Sequence, residues 1–217
     1  MSQPPLLEAI ERHEIGIERV LRELLERCER DPQLVADLDA CNFQPYPSPS
    51  DEIDCLNPWF FVIAMNGAGS AYGLYLHPAA KPNGGPHPWV YWEHEDDTLR
   101  FMADDTGRFL RGLIADTRGW SEEPDAVDRA ASALRELGVA IDGEAIELDF
   151  EARAAWLPPI EEDVEDVEVY LAMLDTDRDA AERGLLAHRM QHDERATEAL
   201  DQLDRARGWR PPRALDD

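Results

Sequence analysis

Cysteine is scarce in this sequence, which has 217 residues and only three cysteines, Cys28, Cys41 and Cys55. Their number is odd, and no two of them have the spacing of a Cys-x-x-Cys pair. This count and spacing argue against a disulfide framework and against a zinc knuckle. We therefore predict that the three cysteines act as small hydrophobic side chains in a reducing compartment.

The sequence also lacks a long apolar segment. No hydrophobic run approaches the roughly 20 residues that a transmembrane helix requires. The first residues, MSQPP, lead directly into a charged helical pattern and have none of the three regions of a secretory signal. A hydrophobic content of 43% is typical of a globular protein. We expect a cytoplasmic protein whose oligomeric state the sequence leaves open.

Positively charged residues are also few. The 21 Lys and Arg residues face 47 Asp and Glu residues, for a formal net charge of −26. Nucleic acids and anionic membrane surfaces are bound by clustered cations, so this balance argues against both as partners. It favours a basic protein partner. Lys81 is the single lysine, so a GC-rich genome or a salt-adapted cytoplasm is an equally open explanation of the acidity.

The first part of the chain has a helical pattern. Apolar residues recur at helical spacing over residues 5–29 and predict one amphipathic helix. Asp31 and Pro32 are a helix cap and a first helical residue, so a second helix should reach about Ala40. Prolines among polar residues predict a loop over residues 42–58.

The middle of the chain has the residue pattern of a β-sheet. Four segments carry the aromatic and β-branched residues that suit strands, and glycine, proline or aspartate turns separate them. These segments are residues 59–65, 71–77, 89–94 and 98–103. A helix should follow from Thr106, with Phe109 and Leu113 among its buried residues.

The last hundred residues are mainly helical in pattern. We predict a helix over residues 123–137 that Gly138 ends, a short strand over 145–150, a helix that ends near Leu174, and one long helix over about 178–207. The fold class is therefore α+β: an antiparallel sheet of about four to six strands with flanking helices, plus a mainly helical C-terminal extension. We assign residues 1–117 to the α+β domain and residues 118–217 to the extension, which packs on the same core or forms a separate unit.

Motifs that resemble catalytic or cofactor sites are incomplete. The stretch NGAGS at residues 66–70 lacks the third glycine and the helix of a phosphate-binding loop. Ser70 does not lie in a GxSxG elbow. The sequence therefore predicts no cofactor and favours a protein that is not an enzyme.

Histidines provide the alternative, a metal-dependent enzyme. His188 and His192 are four residues apart, and on one helix their imidazoles would share a face. The glutamate of an HExxH helix is missing, because Arg189 follows His188. A second set would combine His77, His87 and His94 with Glu93 and Glu95. On an extended strand His94 and Glu93 point to opposite faces, which argues against a joint site.

The region from Trp59 to Ile114 resembles the SMI1/KNR4, or SUKH, superfamily. The similarity comes from a strand followed by a glycine turn, a strand like YGLYL, a strand that ends in a His-Glu pair, and a helix with an FL pair. The residues that match these features are Phe61 to Ala64, Gly67 to Gly73, Leu74, Tyr75, Val90, His94, Glu95, Phe109, Leu110 and Leu113. The resemblance covers about residues 55–117, and residues 118–217 have no counterpart in it.

The resemblance implies an α+β fold and a non-enzymatic role. Bacterial members look like immunity proteins that neutralise a toxin, often a nuclease, and some eukaryotic relatives look like regulatory scaffolds. An acidic surface would complement a basic nuclease and speed the encounter. We therefore predict a partner-binding surface with Trp92 as an exposed aromatic anchor. The acidic candidates are Glu93, Glu95, Asp96, Asp97, Asp104 and Asp105, for which turn and capping chemistry is the alternative role.

Overall fold

The computed structural model describes residues 5–45, 55–81, 84–143, 147–158 and 165–207. These residues form a five-stranded antiparallel sheet and eight α-helices, so the predicted α+β class is confirmed. The strands are β1 (Gln44–Pro45), β2 (Phe60–Met65), β3 (Ala71–Tyr75), β4 (Trp89–Glu93) and β5 (Thr98–Ala103). The helices are α1 (Leu6–Arg12), α2 (Arg19–Cys28), α3 (Pro32–Asp39), α4 (Thr106–Arg118), α5 (Pro124–Glu136), α6 (Val167–Met173), α7 (Arg178–Met190) and α8 (Glu194–Ala206).

The strands lie side by side in chain order, and each is antiparallel to the next. Met65 pairs with Ala71, which in turn pairs with Trp92. The β2–β3 turn and the β4–β5 turn therefore lie at the same end of the sheet. We call this end, formed by residues 66–70 and 94–97, the turn end.

Aromatic side chains attach α4 to one face of the sheet. Phe109 of α4 stacks on Trp89 of β4 with 4.1 Å between ring centroids and an interplanar angle of 7°. The rings of Phe43 and Tyr72 lie 5.9 and 5.4 Å from Phe109. Since side chains alternate along a strand, Tyr75 lies on the opposite face from Tyr72, where it stacks on Trp156 at 5.1 Å.

Residues 147–158 wrap around the edge strand β5. The backbone N–H of Phe101 donates to the carbonyl of Ala152 at 3.1 Å. Phe150 contacts Tyr91 on one side, and Trp156 contacts Phe101 on the other. The segment therefore covers an edge that would otherwise offer unpaired backbone groups. Of the strand predicted over residues 145–150, residues 145 and 146 lie outside the described residues, and residues 147–150 are not a strand.

The N-terminal prediction of a single helix is wrong, because α1 ends at Arg12 and α2 begins at Arg19. Glu14 adopts a left-handed φ of 53°, and the N–H of Ile15 donates to the carbonyl of Ile10. This bond closes the first helix. The cap on α3 is confirmed, since the side chain of Asp31 accepts from two backbone N–H groups. The predicted loop over 42–58 contains the short strand β1, and residues 46–54 lie outside the described residues.

The long C-terminal helix is also two helices, α7 and α8. His192 between them has a left-handed φ of 62°. The helices predicted from Thr106 and over residues 123–137 are confirmed as α4 and α5, and Gly138 follows α5 with a φ of 88°. Buried side chains from Leu6 to Leu200 belong to one hydrophobic cluster, so both assigned segments contribute to it.

None of the three cysteines, all of which lie in the described part of the chain, forms a disulfide. Cys41 and Cys55 are buried, and Cys28 is half-buried. Burial raises the pKa of Cys28 and of Cys41 to about 12. These two thiols therefore stay protonated and unreactive at neutral pH.

Candidate functional site

The acidic residues predicted to bind a partner lie at both ends of the sheet. Four of them, Glu93, Glu95, Asp96 and Asp97, are at or beside the turn end. Asp104 and Asp105 follow β5 at the opposite end. The six residues of β5 separate the two groups by roughly 20 Å. The structure therefore does not bring the predicted set together as one cluster.

Several of these acids have structural roles. Oδ1 of Asp96 accepts the backbone N–H of Thr98 at 3.1 Å, and its Oδ2 lies 3.3 Å from the guanidinium of Arg100. Asp105 caps α4 by accepting the N–H of Arg108 at 2.8 Å. Capping and turn chemistry therefore accounts for Asp96 and Asp105.

The expectation that Trp92 is an exposed anchor is wrong. Its side chain faces the core and is 6% exposed. The indole Nε1–H donates to Oδ1 of Asp97 at 2.5 Å, which also gives Asp97 a structural role. Trp92 alternates with Tyr91 and Glu93 along β4 and thus lies on the face opposite theirs. Because this sheet is covered on both faces, alternation alone did not reveal which aromatic residues remain exposed.

Ser70, Glu93 and His94 form a compact group at the turn end. The Ser70 hydroxyl donates to Oε1 of Glu93 at 2.8 Å, and Nδ1 of His94 lies 2.9 Å from the same hydroxyl oxygen. A hydroxyl has one proton, so Nδ1 of His94 must donate to Ser70. The predicted separation of His94 and Glu93 on opposite faces is wrong, because β4 ends at Glu93 and His94 lies in the turn.

This group fastens the two turns together. Oε2 of Glu93 accepts from the Tyr91 hydroxyl at 3.1 Å, and that hydroxyl accepts from Nδ2 of Asn66 at 3.2 Å. Ser70 is fully buried and directs its proton at a carboxylate, which is unlike a nucleophile that an imidazole deprotonates. The network instead holds Glu93 and His94 in fixed positions beside the solvent.

The histidines proposed as metal ligands do not converge. His188 lies in the last turn of α7, but His192 is beyond the end of that helix, so the two do not share a helix face. Nε2 of His188 donates to the carbonyl of Glu165 at 2.6 Å. Across the described residues, no group of three or more His, Cys, Asp or Glu side chains is arranged to hold a metal ion.

The other histidines are equally dispersed. His77 is buried against Glu182, with Nε2 3.3 Å from Oε2. His87 precedes β4, whereas His94 follows it. Burial and the charge of Lys81 lower the pKa of His87 to about 4, so this imidazole is neutral at pH 7.

Two features escaped the sequence reasoning. Glu182 is a buried acid, 2% exposed, and binds His77, Arg178 and Arg207. The one sequence feature that could have predicted its burial is its position on the same face of α7 as Leu185 and Leu186, three and four residues later. Trp120 is 52% exposed at the end of α4. A tryptophan between Gly119 and Ser121, outside any apolar stripe, was the available hint.

Comparisons of the chain with protein-family models, with curated proteins and with solved structures found no match. Within the described residues, every helix is too short or too polar to cross a lipid bilayer. The geometry of the turn end is therefore the main guide to function.

Proposed function

We propose that this protein is a non-enzymatic binding module that neutralises a basic protein partner by forming a stoichiometric complex. The resemblance to the SMI1/KNR4 superfamily suggests an immunity protein whose partner is a toxin, such as a nuclease. A regulatory scaffold would use the same mode of binding with a different partner. The observation that carries the proposal is the acidic turn end, where hydrogen bonds fix the half-buried Glu93 and Glu95 is exposed two residues later.

Electrostatics support this choice of partner. A net charge of −26 attracts basic proteins over long distances. The hydrogen bonds of Glu93 to Ser70 and Tyr91 fix its carboxylate before binding. A pre-ordered side chain loses less conformational entropy when a partner arrives.

The test is a binding measurement with any basic protein that a gene adjacent to the gene for this chain encodes. We expect a one-to-one complex whose association rate falls steeply as salt concentration rises. Glu95→Lys should slow association by roughly tenfold. Asp104→Lys makes the same charge change at the opposite end of the sheet and should have a smaller effect. If no neighbouring product binds, or if added salt leaves the association rate unchanged, the proposal fails.

A further inference from the structure

Trp120 is unlike the other tryptophans that the structure describes. Trp59, Trp89 and Trp92 are buried, and Trp156 is half-buried, whereas Trp120 is 52% exposed. Tryptophan offers a large contact area and is enriched among the residues that dominate binding energy at interfaces. An exposed indole on a highly charged surface therefore indicates a contact point.

The indole of Trp120 is fixed by a hydrogen bond and remains exposed to solvent. Its Nε1–H donates to Oδ2 of Asp116, one turn earlier on α4, at 3.0 Å. The preceding residue is Gly119, which has no side chain to cover the ring, and the following residue is the small Ser121. A ring that is already ordered loses little conformational entropy on binding.

Trp120 lies toward the turn end of the sheet. In the last turn of α4, the Thr117 hydroxyl donates to the carbonyl of Cys41 at 3.4 Å. The next residue, Asn42, accepts the N–H of Gly67 in the β2–β3 turn at 3.2 Å. These contacts connect the end of α4 to the same end of the molecule that carries Glu93 and Glu95.

The charges around Trp120 define the chemistry that it would meet. Asp116, Glu122 and Glu123 are exposed beside it. The nearby cation Arg118 is paired with Asp128 at 3.1 Å. A guanidinium or ammonium group over an indole face gains cation–π attraction, and flanking carboxylates add to it.

We infer that Trp120 is the aromatic anchor of the partner-binding surface and that it receives an arginine or lysine side chain of a basic protein. The inference rests on the proposed function and specifies its site. Trp120 thus takes the role that the sequence suggested for Trp92, with Asp116 fixing the ring. Asp104 and Asp105, at the far end of the sheet, lie outside this surface.

The test uses an oligo-arginine peptide as a defined cationic probe, with binding followed through the indole N–H signals of the folded protein. The indole N–H signal that is missing from the spectrum of free Trp120→Phe belongs to Trp120. We expect this signal to shift on titration, and Trp120→Ala to weaken peptide binding by about tenfold. Trp120→Phe, which keeps a ring, should lose less. Val169→Ala, at an apolar residue of α6 that is 39% exposed, is the matched control and should bind normally.

Two outcomes would overturn the inference: no binding of the peptide to the native protein, or equal binding to the native protein and to Trp120→Ala. The second outcome would mean that net charge alone attracts the peptide. Binding of the neighbouring gene product is a second, separate experiment. If it binds and Trp120→Ala does not weaken the complex, the inference fails and the proposed function stands. If it does not bind although the peptide response is intact, the proposed function fails by itself.

Discussion

The two sides of the sheet differ in whether a buried charged group accompanies the apolar packing of their helices. On one side, Trp89 and Phe109 are fully buried and stack at 4.1 Å. The indole N–H of Trp89 donates to the Thr106 hydroxyl at 3.1 Å. On the side that carries Tyr75, Leu185 and Leu186 of α7 and Leu200 of α8 belong to the apolar core. In addition, the buried Glu182 carboxylate binds His77, two residues after β3, and Arg207 after α8.

The difference lies in what each interface requires of its surroundings. Apolar contact needs only shape complementarity, and neither pH nor salt changes it much. A buried carboxylate must keep all its partners, because a lost partner leaves an uncompensated charge. The stability contributed by the aromatic side should therefore change little with pH or salt, while the stability of the attachment of α7 and α8 should depend on pH.

The largest effect should come from Phe109→Ala. Removing a buried ring leaves a cavity beside Trp89, and such changes cost about 3 to 5 kcal/mol. Denaturant unfolding should show this loss, with the same value at pH 5 and pH 8 because no titrating group is removed. Phe109→Leu, which keeps part of the volume, is the control and should lose less. A loss below about 1 kcal/mol would contradict the role of this stack.

Glu182→Ala should come next, with a loss of about 3 kcal/mol at pH 7. Burial opposes ionisation of Glu182, but hydrogen bonds from His77 and Arg207 outweigh it and lower the pKa to about 2. A lowered folded-state pKa gives stability that is present above the ordinary value of 4.5 and is lost as pH falls towards 2.

The cost of Glu182→Ala should accordingly shrink below pH 4, as measured by unfolding across a pH series. Arg178→Ala is a useful comparison. Arg178 lies one helical turn from Glu182 and has a side chain 48% exposed, so its removal should cost well under 1 kcal/mol. Equal losses for the two variants would mean that the buried carboxylate has no special role.

The strands were predictable because their signal is local. Aromatic and β-branched residues between glycine and proline turns defined β2 to β5 within one or two residues. Caps were equally local, as Asp31 and Asp105 show. The turn chemistry of Asp96 was also within reach, as the side chain bonds its own turn.

Helix ends were harder to predict, for a definite physical reason. Among the helices that the structure describes, four end with a bond from an N–H to the carbonyl five residues earlier, after a residue with positive φ. Gly138 predicts such a helix end because glycine adopts positive φ without strain. Glu14 and His192 also have positive φ, but their residue types do not predict it, so the helical patterns seemed to continue through both. The position of Trp120 and the pairing of His77 with Glu182 depend on long-range packing, and periodicity carries no information about either.

The one effect of opposite sign should come from Asp204→Asn. Asp204 is 3% exposed, and its Oδ2 has no hydrogen-bond partner within the described part of the chain. Burial raises its pKa to about 6, despite the nearby charges of Arg207 and Arg189. A carboxyl group whose folded-state pKa lies above its ordinary 3.8 favours folding when it is protonated, so the fold loses stability as pH rises from about 4 to 6.

At pH 7 Asp204→Asn replaces a buried charge with a neutral amide and should stabilise the protein by roughly 1 to 3 kcal/mol. At pH 4 the gain should nearly vanish, because the native carboxyl is then protonated as well. Asp175→Asn, at an exposed position before α7, is the matched control and should change little at either pH. A loss of stability at pH 7 would show that the Asp204 carboxylate has a stabilising partner. A gain that is the same at both pH values would show that the charge of Asp204 is not its cause. With Glu182 weakening the attachment of α7 and α8 at low pH and Asp204 weakening it at neutral pH, that attachment should be strongest near pH 4 to 5.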